Sequence, residues 1–156
     1  MAMKWMSRAA LAVVLASAAV ATVAVAADPT PIQQARRGHF KEINKAFKAA
    51  REELAKPAPS AAVLQASGKT IDELVAQIPS WFPAGSGPES GKTEALPAIW
   101  QKPDEFKAAV AKATTAAHAF NVATQSGNAE AVKAAVPALG GSCKNCHENF
   151  KAKDEH

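Results

Sequence analysis

The chain has 156 residues, enough for one domain with at most a short appendage, so a second catalytic domain is excluded. Hydrophobic residues make up 48% of the sequence and aromatic residues only 6%, a composition that favours helices packed through small side chains over a β-sandwich. The formal net charge of +4 comes from scattered lysines and arginines, so a nucleic-acid-binding function is not indicated.

The first 26 residues are predicted to be a secretory signal peptide. Lys4 and Arg8 precede an apolar run from Ala9 to Val25 that ends in small residues. Because this run is short for a membrane span and no stop-transfer charges follow it, we expect cleavage after Ala26. The mature protein, residues 27–156, would then be exported and soluble, and it would contain none of the three methionines of the full chain.

Two amphipathic helices are predicted next. Between residues 30 and 56, apolar side chains recur at helical spacing and leave the charged ones to water. A Pro-Ala-Pro stretch ends this helix, and Ser60 can cap a second helix that runs to about residue 78. The apolar pattern stays in phase across Ser67 and Gly68, which favours one continuous helix; a break before Thr70 is the alternative.

A long connection follows the second helix. Four prolines, with neighbouring glycines and serines, are expected to forbid regular structure between residues 79 and 102. A connection of this length within one domain needs anchors of its own. The side chains that can provide them are Trp81, Phe82, Ile99 and Trp100.

Two further helices complete the predicted fold. Pro103 suits a first helical position, and a third helix is expected from there to about Gln125. A Ser-Gly-Asn turn leads into a fourth helical segment, in which Pro137 and the glycine pair at 140–141 are expected to kink or loosen the helix. Four helices, each about 30 Å long and joined by one long crossover between the second and third, predict an all-α, antiparallel four-helix bundle.

The chemistry-bearing residues lie near the end of the fourth helix. Cys143 and Cys146 are three positions apart, and His147 follows directly. Two thiols at this spacing can add to the two vinyl groups of one haem, which places the histidine under the iron as an axial ligand. The pattern therefore predicts one covalently attached haem c per chain, close to the C-terminal helix.

Three other uses of the two cysteines are weaker. A disulfide between them would close a very small loop and add little stability. A dithiol site would make the chain a haem-free thiol oxidoreductase, but such sites belong to a βαβ context that this sequence does not supply. A zinc site would need two more ligands, and the remaining histidines, His39, His118 and His156, are not paired.

The sequence resembles the cytochrome c′ family of class II c-type cytochromes over nearly all of the mature chain. The resemblance rests on Arg36 four residues before Phe40, on segments 81–86 and 98–100, and on Cys143-Lys144-Asn145-Cys146-His147 followed by Phe150 and Lys151. It implies a periplasmic four-helix bundle that is commonly a homodimer. The implied functions are gas binding, with protection against nitric oxide or its transport, and electron transfer.

The residue opposite His147 decides between two functions. In low-spin relatives a methionine at the position of Phe40 ligates the iron, but a phenyl ring has no lone pair and the mature chain has no methionine. The resemblance thus implies five-coordinate iron that binds small neutral gases such as NO and CO, with Phe40 on the distal side. The alternative is a six-coordinate, low-spin electron carrier with His39 as second axial ligand, because His39 and Phe40 flank the apolar stripe about 100° apart.

Two basic residues complete the predicted site. Arg36 matches a family position near a haem propionate, and a guanidinium can bind a carboxylate through two hydrogen bonds. Lys151 lies one turn after His147 on the same face, where it can influence the imidazole or shield the haem edge. Since no acid and base pair for substrate turnover is visible, we expect a haem protein that is not an enzyme, with NO or CO as ligand and a periplasmic redox partner.

Overall fold

The computed structural model of the protein describes residues 28–153. Its long helices are α1 (Pro31–Leu54), α2 (Ala61–Gln77), α4 (Pro103–Gln125) and α5 (Ala129–Phe150), with a one-turn helix α3 (Ala98–Gln101) before α4. The predicted all-α four-helix bundle is therefore confirmed. The signal peptide proposed for residues 1–26 and the terminal His156 lie outside the described residues.

Side-chain caps are present at the starts of two of the four long helices, α1 and α5. Thr30 and Gln33 form a reciprocal capping box at the start of α1, and the Asn128 side chain accepts hydrogen bonds from the first turn of α5. Ser60 precedes α2 as expected, but its side chain makes no capping hydrogen bond. Its backbone N–H instead donates to Glu53 Oε1 over 2.8 Å, which ties the start of α2 to the end of α1.

Helix α2 is continuous across Ser67 and Gly68, so the alternative break before Thr70 is wrong. Both residues are buried where α2 crosses α4. A Cβ atom at position 68 would overlap the Thr124 side chain of α4, so glycine is required by the close approach of the two helices. Helix α5 likewise runs unbroken past Pro137, so the expected loosening does not divide it.

The crossover between α2 and α4 has more regular structure than its prolines suggest. It contains two 3₁₀ turns, Ile78–Trp81 and Pro88–Ser90, and the short helix α3. Trp81 and Ile99 are buried and anchor it, as predicted from their size. Proline is compatible with the first position of a helical turn, and each of the two 3₁₀ turns has one at its first or second residue.

The hydrophobic core fills the centre of the bundle unevenly. Its fully buried side chains come mainly from α2, α4 and α5 and include Ile71, Val75, Phe120, Val132 and Leu139. Helix α1 packs on α2, α2 on α4 and α4 on α5, whereas α1 and α5 make few direct contacts. The space between α1 and α5 holds the site described next. No helix within residues 28–153 is long and apolar enough to cross a membrane.

Candidate functional site

A cavity of about 290 Å³ lies within the bundle, lined by residues of all four long helices and of the crossover. Its walls are mainly apolar, and its volume is near the lower end of the range for small-molecule sites. Cys143, Cys146 and His147 line it from α5, and Phe40 lines it from α1. The structure thus brings the predicted attachment residues to the wall of one mainly apolar cavity that is partly open to solvent.

No disulfide joins Cys143 to Cys146, and both side chains are partly buried. Burial raises the pKa of Cys143, and burial together with the neighbouring Cys143 raises the pKa of Cys146 to about 11. Both sulfurs are therefore protonated near neutral pH, whereas redox-active dithiols depend on a thiol whose pKa is lowered. This electrostatic setting disfavours the thiol oxidoreductase alternative.

His147 lies in the same wall with its imidazole held in the neutral form. Burial and the positive charge of Lys151 lower its pKa, and Glu94 opposes them with a smaller effect. A neutral imidazole has a nitrogen lone pair available for a metal ion. The donor set of two thiols and one neutral imidazole along an apolar cavity fits a covalently attached haem.

Phe40 and His39 point in different directions. The Phe40 ring lies in the cavity wall with its centroid 6.3 Å from that of His147, in an edge-on arrangement. His39 does not line the cavity, and its ring stacks on Trp81 at 4.7 Å. The surface residue His118 contacts Asp72, with 3.2 Å between Nδ1 and Oδ2. Of the described histidines, only His147 lines the cavity.

Arg36 is buried in the cavity wall, with 4% of its surface exposed, so it is not a solvated arginine. Its Nη1 donates to Trp81 O and Ser86 Oγ, and its Nη2 donates to Ser86 O and Thr93 Oγ1, over 2.9–3.2 Å. The guanidinium also lies over the Phe82 ring at 4.5 Å. In this structure the terminal nitrogens hold the crossover, a role that the sequence did not indicate.

Lys151 joins the end of α5 to the crossover. Its ammonium group lies 3.3 Å from Glu94 Oε2, and its backbone forms an isolated β-bridge with Ala95. The bridge is reinforced by hydrogen bonds from Leu96 N to Phe150 O and from Ala152 N to Glu94 O. Lys151 and Glu94 both line the cavity, so the predicted proximity of Lys151 to the site is observed.

Two buried polar residues near the site were not singled out from the sequence. Gln33 and Ser86 are 3% and 2% exposed. The Gln33 side chain donates to Gly87 O and Ser90 Oγ, 54 and 57 residues away along the chain. The only local signal for Gln33 was its place three residues after Thr30 in a capping box, which says nothing about so distant a partner.

Comparison with known proteins gives consistent matches. The model of one protein family, described as Cytochrome C', matches residues 31–151. A relative from Rhodospirillum rubrum, named cytochrome c′, is 35% identical over 151 residues, which cover 94% of this chain and 99% of the relative.

Solved structures of similar proteins share the fold. Cytochrome c′ from Rubrivivax gelatinosus is 30% identical, with a TM-score of 0.72 over 80% of this chain and 97% of that chain. The nitric oxide complex of a variant of cytochrome c prime from Alcaligenes xylosoxidans has a TM-score of 0.73 at 23% identity, over 82% of this chain and 98% of that chain. At that identity the second likeness shows the common fold alone.

Proposed function

Because the chain belongs to the cytochrome c′ family, whose members carry covalent haem c, we propose that it is a haem protein with five-coordinate iron that binds NO and CO. The observation that carries the proposal is the phenyl ring of Phe40, which lines the same cavity as His147, with ring centroids 6.3 Å apart, and has no atom able to ligate iron. The nitric oxide complex of the Alcaligenes xylosoxidans protein supports the same class of ligand.

Each attachment residue has a distinct role in this proposal. Cys143 and Cys146 would hold the haem through two thioether bonds, and the neutral imidazole of His147 would be its axial ligand. When bound, the haem supplies an iron centre that takes up diatomic ligands and changes oxidation state. Arg36 and Lys151 would place positive charge near the propionates and the haem edge.

Phe40 would decide which ligands reach the distal side. Its ring excludes water and offers no hydrogen bond, so an anion would enter without compensation for its lost hydration. Bound dioxygen would likewise gain no hydrogen bond for its partial negative charge. NO and CO need no such donor, but the ring must move to admit them, so we expect slow association.

The proposed setting of the protein is the periplasm, reached through the signal peptide at residues 1–26. A homodimer and a periplasmic redox partner complete the proposal, and electron transfer rather than substrate turnover would be its second activity. Exposed apolar side chains on α1 and α2, Ile32 and Val63, are compatible with a dimer built on these helices. Sedimentation of the mature protein would test the proposed homodimer, and a monomer at micromolar concentration would contradict it.

A visible spectrum of the purified ferrous protein, recorded before and after CO is added, tests the main proposal. We expect high-spin bands that shift on CO binding, and His39→Ala should leave both spectra unchanged. A low-spin spectrum that does not change when CO is added would contradict the proposal and support a six-coordinate electron carrier. The His39 ring is stacked on Trp81, outside the cavity wall, so we do not favour that outcome.

A further inference from the structure

The Phe40 ring is enclosed by two aromatic side chains of the crossover. Its centroid lies 5.3 Å from Trp81 in an edge-on contact and 6.3 Å from Phe82 in a tilted one. Trp81 is buried and Phe82 partly buried, so neither ring can swing freely into solvent. Movement of the Phe40 ring toward Trp81 or Phe82 therefore requires the start of the crossover to shift.

Arg36 and Ser86 hold this part of the crossover in place. Arg36 bonds the Trp81 carbonyl and covers the face of the Phe82 ring, so one side chain fixes both neighbours of Phe40. The Ser86 hydroxyl accepts from Arg36 Nη1 and donates to Pro83 O over 2.8 Å. Within residues 28–153 no carboxylate lies within ion-pair distance of Arg36, so neutral oxygens of the crossover are its polar partners.

Gln33 fastens the next part of the crossover to the same face of α1. Its amide nitrogen donates to Gly87 O over 2.9 Å and Ser90 Oγ over 3.2 Å, and its amide oxygen accepts from Thr30 N. At Gly91 the backbone passes so close that an added Cβ would lie 2.7 Å from Gln33 Oε1. Positions 33, 36 and 40 recur at helical spacing, so these contacts share one face of α1 with Phe40.

We propose that Gln33, Arg36 and Ser86 form a clasp that holds Trp81 and Phe82 against Phe40 and thereby sets the rate at which a gas ligand displaces that ring. The inference rests on the proposed function, because it assigns positioning residues to gas entry. Gln33 lines the cavity and Ser86 does not, and we assign to both a positioning role that acts through Phe40. Loosening the clasp raises the fraction of molecules in which Phe40 has moved aside.

The test compares CO association with the ferrous haem protein in matched variants, by flash photolysis. Gln33→Leu gives an apolar side chain one bond shorter than glutamine that makes no hydrogen bonds, and we expect association about tenfold faster, as the loss of about one net hydrogen bond predicts. Gln34→Leu is the control, because Gln34 is exposed and its side chain bonds only Pro29 O among the described residues. Its rate should equal that of the unmodified protein.

Two further variants distinguish a positioning role of Gln33 from a general loss of stability. In a Phe40→Ala background, Gln33→Leu should no longer change the CO rate, because the clasp acts through the missing ring. Ser86→Ala should accelerate CO association in the same direction, and it provides the test if Gln33→Leu does not fold. A lower melting temperature with unchanged CO rates in both variants would overturn the clasp while leaving the proposed function intact.

Amide hydrogen exchange tests the clasp without any gas. Gln33→Leu should speed exchange at Ser86 and Ser90, whose N–H groups are bonded within the crossover, and Gln34→Leu should not. Equal exchange in the two variants would overturn the clasp whether or not CO binds. A third outcome is that exchange responds as expected while the unmodified protein does not bind CO. That result would contradict the proposed function and also the role of the clasp in gas entry.

Discussion

Phe40 and His147 line the same cavity with their rings edge-on to each other, and they differ in the ability to ligate a metal. The imidazole has a lone pair and is kept neutral by its surroundings, whereas the phenyl ring has neither a lone pair nor a polar hydrogen. The site therefore has one side chain that can ligate a metal and one that cannot. Their roles toward iron are proposals that single substitutions can test.

Replacing Phe40 by alanine should accelerate CO association. The smaller side chain removes the ring that a ligand has to displace, and we expect a rise of at least about tenfold, equivalent to about 1.4 kcal/mol of the barrier. Flash photolysis of the ferrous protein measures the rate. His39→Ala is the control from the adjacent position outside the cavity, and equal rates in both variants would show that Phe40 does not obstruct the ligand.

Local patterns sufficed for the attachment residues but not for the polar residues around them. The spacing of Cys143, Cys146 and His147 carries its chemistry within five positions, so it can be identified from the sequence alone. The hydrogen bonds of Arg36 reach residues 45 to 57 positions away. No local pattern encodes such contacts. Arg36 could therefore be placed near the site from its position in α1, but its hydrogen-bond partners could not be predicted.

At the scale of elements, the long helices were predictable because their apolar spacing and end residues agree. Helix α4, the third of the long helices, begins at Pro103 and ends at Gln125 as expected. The bounds of α1 and α2 differ from the predicted ones by one or two residues. The crossover was less predictable, since its short helical turns depend on packing of Trp81 and Ile99 against the bundle. Three of its four prolines, Pro79, Pro88 and Pro97, lie at or next to the start of a helical turn.

The contact between α2 and α4 gives a stability prediction. Gly68→Ala should destabilise the protein by about 1–3 kcal/mol, because the added methyl group would overlap the Thr124 side chain of a packed neighbour. Gly38→Ala is the matched control in α1, where a Cβ meets nothing within 4 Å and helix propensity should give a gain of about 0.5–1 kcal/mol. Urea denaturation would measure both, and equal effects would contradict the packing argument.

The junction of α1 and α2 gives a prediction for pH. Hydrogen bonds from Lys56 and from the Ser60 backbone hold the pKa of Glu53 below its ordinary value. A carboxyl with a lowered pKa in the folded state stabilises the fold above its unfolded pKa and loses that contribution as the pH falls through the folded value. Glu53→Gln should therefore destabilise the protein at pH 7, and the difference should shrink below about pH 4.3.

Glu52→Gln provides the control for this prediction. Glu52 is exposed and its carboxylate lies 3.6 Å from Lys48 Nζ, a surface pair of small expected effect. Thermal denaturation at several pH values would compare the two variants with the unmodified protein. A Glu53→Gln effect that is constant from pH 7 to pH 3 would contradict the assigned cause.

At the scale of the whole molecule, the bundle is built around a space that its own side chains do not fill. The cavity of about 290 Å³ lies where α1 and α5 separate, and α2, α4 and α5 provide most of the packed core. An apolar group held there would be part of the core as well as the reactive centre. The sequence indicated this only indirectly, through small side chains and few aromatic residues.

Loss of the attached group should therefore weaken the fold. A Cys143→Ala, Cys146→Ala double variant would lack both attachment sulfurs, and we expect a destabilisation of about 2–5 kcal/mol, or a melting temperature lower by roughly 10 °C. Calorimetry compares this variant with the haem-bearing protein. Equal melting temperatures, with no Soret band in the variant, would show that the bundle does not depend on its occupant.

The pairing of residues 94–96 with residues 150–152 also bears on the order in which the molecule folds. Ala95 and Lys151 are 56 positions apart, with α4 and α5 between them. Because contacts between residues so distant in the chain form only after the intervening segments have come together, we expect this bridge to form late. The two sulfurs and the imidazole of α5 would then reach the cavity wall only in the last stage of folding.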